Sequence, residues 1–350
     1  MNFHGGNIYE YNEDILDFSS NINPFGVSKK LKDEIYKRMD EVARYPDINY
    51  KRLKDNVARY LSVRSDMVTV GNGAVDIIYR AVSSIPKEKV FIMAPAFSEY
   101  RKSAEMSGKE YFEISAFDFS KKDFDCDFFD RNIEDNSIII VCNPNNPTGK
   151  AIEKERILKL LDSAKEKNSF VILDETFIEF TCDEDKYSMV SSCLYYDNLI
   201  VIRAVTKFFG IAGIRLGYGV CKNSDINFKI ENNSKPWDVN TFAVICSDVV
   251  FWDNEYIEKT REWIDSERKF VYENISKIAG FEIYETNSNF FMIKTEVSSD
   301  IIQKKLLKHN ILIRQPKGFT GLSNNFIRVA VKDRLSNEKL INALRSEFVG

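Results

Sequence analysis

Four places in the chain combine reactive or ligand-holding side chains with apolar runs that would end beside them. Lys207 stands in Thr206-Lys207-Phe208-Phe209-Gly210, with Arg215 eight residues beyond it. A lysine among aromatic and apolar residues loses solvation for its ammonium form, which lowers its pKa and makes the amine a better nucleophile. Taken alone, a snorkelling surface lysine is the commoner outcome. Asp174 and Glu175 follow the apolar run Phe170 to Leu173, so each carboxylate needs a partner to offset desolvation. Asn143-Pro144-Asn145-Asn146-Pro147-Thr148-Gly149 follows Ile138 to Cys142 and reads as a rigid exposed turn presenting amide side chains, or as an ordinary connector. Gly71-Asn72-Gly73-Ala74-Val75-Asp76 leads into a helix whose free N–H groups suit a phosphate, although such a turn is as often a plain one.

These groups need a scaffold of strands whose ends meet. Ser28 caps a predicted helix with Leu31, Ile35, Met39 and Val42 on one stripe, and a second helix after Pro46 carries Leu53, Val57, Tyr60 and Leu61. Strands are predicted at 67–70, 90–93, 138–142, 170–173, 199–203 and 217–221, with helical stretches such as 153–167 between several of them. Strand, loop and helix units of this kind build an α/β protein with a mostly parallel sheet covered on both faces. After about residue 245 the pattern changes to a long helix over 251–278, strands near 281–284, 289–294, 311–314 and 326–331, and helices at 300–308 and 336–348. That tail reads as a smaller α+β unit.

Composition narrows the chemistry. With 49 basic and 53 acidic residues in 350, the formal charge of −4 exerts no long-range pull on nucleic acid or anionic membrane. An anionic ligand must therefore be caught by a few placed groups. Six cysteines without a CxxC spacing, and an opening MNFHGGNIYE without a secretory-leader pattern, suit a reducing cytoplasm. Apolar runs such as 137–142 are too short to span a bilayer. Two histidines, His4 and His309, are too few for a His-rich zinc site or an evident Ser-His-Asp triad, and no metal is expected. The acidic stretch 123–130 lacks the glycine and terminal glutamate of a calcium loop and reads as solvated loop.

An anion cradle, an amide, a buried carboxylate and an activated lysine together meet the needs of pyridoxal phosphate. In this ordered set of motifs, over nearly the whole chain, the sequence resembles the fold-type I pyridoxal phosphate enzymes of the class I/II aminotransferase group. The resemblance implies a large domain with a mostly parallel seven-stranded sheet. It makes Lys207 the Schiff-base lysine and proton shuttle, Asp174 the partner of the pyridinium nitrogen, and Asn146 the partner of the ring's phenolic oxygen. Phe97 in APAFSEY stacks on the ring, while Gly73, Ala74, Val75, Thr206 and Arg215 grip the phosphate. Tyr45 in RYPD corresponds to a tyrosine reaching the neighbouring subunit's cofactor, which implies a homodimer. Phe177, Ala204 and Val75 stand where relatives often carry hydroxyl groups, so backbone amides, Thr206 and Arg215 carry more of the phosphate binding.

Substrate anchors choose the reaction. Arg328 in NFIRVAV matches the arginine that forks a substrate carboxylate, and Arg314 in ILIRQP adds a second cation for a substrate with two anionic groups. The opening His4-Gly5-Gly6-Asn7-Ile8 and the segment DFSSNINPFG (17–26) resemble the threonine-phosphate decarboxylase branch, which serves cobalamin synthesis and is related to histidinol-phosphate aminotransferase. On that resemblance His4 and Gly5 close over the substrate's phosphate and Asn23 lies near it. The implied reaction is decarboxylation of L-threonine O-3-phosphate to (R)-1-amino-2-propanol O-2-phosphate. The alternative is transamination of histidinol phosphate, or of another amino acid, with 2-oxoglutarate, and a non-catalytic ligand sensor is a third, weaker reading. The expected organisation is an arm at 1–27, a large cofactor domain at 28–245 and a small domain at 246–350, serving a small phosphorylated amino acid without nucleic-acid or membrane partners.

Overall fold

Continuous burial of Val- and Ile-rich runs organises the computed structural model, which describes residues 4–11 and 14–348. Residues 1–3, 12 and 13 of the expected arm, and 349 and 350 of the expected small unit, lie outside the described part. Seven strands form one sheet in the order Val68–Gly71, Gly217–Cys221, Leu199–Ala204, Phe170–Asp174, Ser137–Cys142, Lys89–Ala94 and Glu110–Ser115. Only Gly217–Cys221 runs antiparallel to its neighbours. Ile138 and Ile140 pack toward helix Ala74–Ser84 and helix Ser98–Met106, whereas Ile139 and Val141 pack toward helix Lys154–Glu166. Strand period sorts a continuous apolar run onto two covered faces.

The edge strand Glu110–Ser115 (EYFEIS) has no counterpart in the sequence reading, because its alternating charges and partial exposure lack the apolar signature of its neighbours. Beyond the long helix Asn254–Ile275, a three-stranded antiparallel sheet of Phe281–Ile283, Phe290–Thr295 and Phe326–Ala330 packs with helices Ser299–Leu306 and Arg334–Phe348. Leu16–Asp17 pairs in parallel with Ile311–Leu312, and Phe18 bonds to both Leu312 and Ala330 through its backbone. The N-terminal segment is thereby stitched to the C-terminal unit.

Several expectations need correction. The helix capped by Ser28 ends at Lys37, and the chain turns into a 3-10 stretch, Met39–Ala43, with Met39 and Val42 exposed. Arg38 holds this break through Glu41 at 2.7 Å and Asp248 at 2.6 Å. Phe251 belongs to a separate 3-10 turn, so the long helix starts at Asn254. The acidic stretch is ordered rather than loop: Asp123–Phe124 pairs with Phe117–Asp118, and Asp125 caps helix Cys126–Arg131 while Phe124 and Phe129 are buried. Among the described residues no group of His, Cys, Asp and Glu could hold a metal, and no helix is long and apolar enough to cross a membrane.

Behind the sheet ends lies a sealed polar cluster. Arg203, 1% exposed, bonds Glu175 at 2.9 Å, Glu184 at 2.8 Å and the Ser188 hydroxyl at 2.7 Å. Glu179 stands 3.9 Å from the same guanidinium with neither oxygen hydrogen-bonded among the described residues, and burial pushes its pKa well above the carboxylate range despite that cation. Arg203→Ala is expected to cost about 3–5 kcal/mol, since it strands buried carboxylates. A folded-state pKa raised above the unfolded value stabilises at low pH and loses that contribution as pH rises. Urea unfolding of the unsubstituted protein should therefore weaken more steeply than that of Glu179→Gln as pH climbs above the carboxylate range; parallel slopes would refute it.

Candidate active site

The parallel strands end around a cavity of about 250 Å³, the position where open α/β sheets collect ligands. Strand alternation separates the two carboxylates at the tip of Phe170–Asp174. Glu175 turns to Arg203, and Asp174 turns into the cavity. Asp174 Oδ1 accepts the Thr176 N–H at 2.9 Å and the Thr176 hydroxyl, while Oδ2 accepts the Tyr100 hydroxyl at 2.6 Å. Burial raises the Asp174 pKa, and these donors act to lower it.

Lys207 follows the strand Leu199–Ala204 and is half-buried, its backbone carbonyl accepting from Asn23 at 3.1 Å and Gly210 at 3.3 Å. Its amine lines the cavity and makes no hydrogen bond or ion pair among the described residues. Burial, followed by the charges of Arg328, Arg215 and Lys332, lowers its pKa to about 8, with Asp17 opposing.

At one end of the cavity, Gly73 ends the turn with φ +86° and helix Ala74–Ser84 begins without a side-chain cap. The N–H groups of Ala74 and Val75 are left for an incoming acceptor. A Cβ on Gly73 would lie 2.4 Å from Arg215 Nη2, and one on Gly217 would lie 2.4 Å from the Ala74 nitrogen. Arg215 spends its guanidinium only on carbonyls, at 3.3 and 3.4 Å, and the Thr206 hydroxyl makes no hydrogen bond among the described residues. Asn146 Oδ1 accepts from Arg328, which leaves its Nδ2 without an acceptor among the described residues. Phe97 and Phe177 supply apolar wall, Phe177 meeting Phe290 edge-on at 5.1 Å. An anion cradle, an amide donor, an unpaired amine and an ionisable carboxyl thus fit the cofactor that the sequence resemblance implies.

The other end is cationic. Arg328, 7% exposed, donates to the Ser19 carbonyl at 2.7 Å as well as to Asn146, and its Nε has no hydrogen-bond partner among the described residues. Burial and the charge of Arg314 lower its pKa to about 9. Arg314 bonds the carbonyls of Gln315 at 2.9 Å and Lys317 at 2.8 Å, and burial lowers its pKa to about 10. His4 sits at the rim with Nε2 2.9 Å from Glu99 Oε1 and its ring 5.7 Å from that of Phe97. Gly5 packs so closely that a Cβ would lie 2.2 Å from the Ser19 carbonyl oxygen.

Two residues named from sequence lie elsewhere. Asn23 is buried behind the cavity, its amide spent on the Phe208 carbonyl at 2.8 Å, Thr260 at 2.9 Å and the Phe25 N–H at 3.0 Å. Asn21 faces the cavity instead, its Oδ1 without a hydrogen-bond partner among the described residues. Tyr45 is 78% exposed and stacks on Trp237 at 4.5 Å. The asparagine turn is buried, not exposed: Asn143 exchanges two hydrogen bonds with Ile152, and Asn145 bonds the Pro95 carbonyl. Sequence reasoning missed Ser19, Ser20, Asn21, Tyr100, Thr176 and Phe319 on the cavity wall. Ser19, Ser20, Asn21, Tyr100 and Thr176 carried a signal, as polar residues within or next to the motifs, whereas Phe319 carried none.

The family model for aminotransferase class I and II matches residues 13–346. A protein of Caldanaerobacter subterraneus subsp. tengcongensis, provisionally assigned as a threonine-phosphate decarboxylase, is 41% identical over 99% of this chain and 94% of its own length. The threonine-phosphate decarboxylase of Salmonella typhimurium is 30% identical over 99% and 97%. Among solved structures, the histidinol-phosphate aminotransferase from Clostridium acetobutylicum is similar at a TM-score of 0.91 and 36% identity, over 96% of this chain and 99% of that one.

The depressed lysine gives a direct test. In cofactor-free protein, competitive labelling with an amine-selective reagent, read by mass spectrometry, should show Lys207 becoming reactive through a pH midpoint near 8. Exposed lysines should titrate near about 10.4. A Lys207 midpoint with theirs would refute the electrostatic account.

Proposed function

The chain belongs to the class I and II aminotransferase family and is a pyridoxal 5'-phosphate enzyme; from that premise we propose that it decarboxylates L-threonine O-3-phosphate to (R)-1-amino-2-propanol O-2-phosphate. When bound, the cofactor supplies a protonated ring that accepts the electron pair released at the substrate's α-carbon. Asp174 would keep the ring nitrogen's proton in place, Asn146 would donate Nδ2 to the phenolic oxygen, and Phe97 would cover a ring face. The amides of Ala74 and Val75, with Thr206 and Arg215, would hold the phosphate beside Gly73, whose own N–H is spent on the Gly71 carbonyl at 2.8 Å. Lys207 anchors the cofactor. Its Nζ would also be the group placed to give a proton to the substrate's α-carbon.

The observation that carries this reading is the placement of Arg328 and Arg314 on the same cavity as His4. Arg328 suits the carboxylate, and Arg314 with His4 suits the phosphate, so one substrate with two anionic ends answers both. We read 1–27 as an arm closing, with a small domain at 246–350, over a large domain at 28–245. Exposure of Tyr36, Met39, Val42, Tyr45 and Ile48 supports a homodimer in which Tyr45 reaches the other subunit's cofactor phosphate. The likeness to histidinol-phosphate aminotransferase favours a second reading, transamination with 2-oxoglutarate, which breaks the Cα–H bond instead.

Threonine phosphate alone should release carbon dioxide catalytically. Turnover of histidinol phosphate only when 2-oxoglutarate is added, without that release, would replace the first reading with the second. For the dimer, Tyr45→Ala and Lys207→Ala subunits should each be impaired alone, and co-expression should restore activity in mixed dimers, where one site keeps both residues. Absence of complementation would confine Tyr45 to its own subunit.

A further inference from the structure

The first turn of helix Ser98–Met106 is buried although it carries Ser98, Glu99 and Tyr100. Tyr100 is 1% exposed, and its ring meets Phe97 edge-on at 5.8 Å. Its hydroxyl ends on Asp174 Oδ2, 2.6 Å away. Burial and the neighbouring carboxylate raise the phenol's own pKa strongly, so Tyr100 acts as a donor.

The two carboxylate oxygens are unequally committed. Oδ1 takes two donors, both from Thr176, whereas Oδ2 takes one, from Tyr100. An ionised carboxylate offers about four acceptor positions, two on each oxygen. Oδ2 therefore keeps capacity for one more donor.

We propose that Tyr100 is a positioning residue for Asp174, holding Oδ2 toward the cofactor's ring nitrogen and weakening that oxygen's hold on the shared proton, so that the proton stays on nitrogen. A hydrogen bond to the charged form of a carboxylate favours that form, and here it opposes the desolvation that would neutralise Asp174. The same helix start brings Phe97 to the cavity wall, so one short segment serves both the face and the edge of the bound ring. This inference rests on the role proposed for Asp174.

The test uses holoenzyme loaded with cofactor carrying 15N at the ring nitrogen, whose chemical shift reads protonation directly. Tyr100→Phe keeps the packed ring and removes only the donor. Its nitrogen resonance should move part way from the protonated toward the neutral position, with kcat falling about tenfold, or about 1.4 kcal/mol, and KM nearly unchanged. Asp174→Asn should move the resonance further. Movement in Asp174→Asn but none in Tyr100→Phe would overturn the inference and leave the role of Asp174 standing; no movement in either would overturn both. If Tyr100→Phe does not load, 3-fluorotyrosine at position 100, a stronger donor of nearly the same shape, should shift the resonance toward the protonated position. An unchanged or opposite shift would overturn the proposal.

Discussion

A buried guanidinium that the protein solvates without neutralising is the constraint around which the cavity is organised. Arg328 donates to Asn146 and to the Ser19 carbonyl, lies 5.1 Å from the Phe290 ring centroid, and has no carboxylate at ion-pair distance among the described residues. Burying such a charge costs several kcal/mol unless a counter-charge arrives. Its partners come from the loop after a central strand, from the N-terminal segment and from the three-stranded sheet. One cation thus ties three parts of the chain and keeps part of its bonding capacity for an anion.

The carboxylates at the end of Phe170–Asp174 solve the complementary problem. Glu175 is matched by Arg203 on the sealed side, where a full ion pair is compatible with a structural role. Asp174 receives only neutral donors. A guanidinium against it would lower its basicity further and occupy the oxygen that must face a ligand. Alternation along one strand places both solutions side by side, so the core brace and the cavity share a backbone without sharing charge.

Much of this was legible because chemistry at strand ends leaves a local mark. Lys207, Asp174 and Asn146 each lie at or shortly beyond the end of an apolar run, and the structure brings all three to one cavity. What was not legible depends on distant parts of the chain. Asn21 and Asn23 lie two apart in one polar segment, and Asn23 is turned away from the cavity by Thr260, 237 residues later. Phe319 reaches the wall from a loop between glycines with φ of +92° and +85°, where no periodicity applies. The helix expected to run on through Val42 is broken by Arg38, whose partner Asp248 is 210 residues away. Tyr45 projects outward and stacks on Trp237 of its own chain.

The depressed pKa of Lys207 follows from the same cations that make the cavity an anion site. After burial, the largest contributions to it are the charges of Arg328 and Arg215. An anion drawn to either arginine cancels part of the repulsion felt by the lysine, so ligand binding raises the proton affinity of Nζ. The effect has a direction that suits the chemistry. The empty site enlarges the share of neutral amine able to form a covalent bond, and the filled site reduces it in favour of the ammonium. Because the overall charge of −4 supplies no attractive background, this exchange depends on a few groups at fixed distances, and any shift of Arg328 relative to Asn146 and Ser19 alters anion binding and the basicity of Lys207 together.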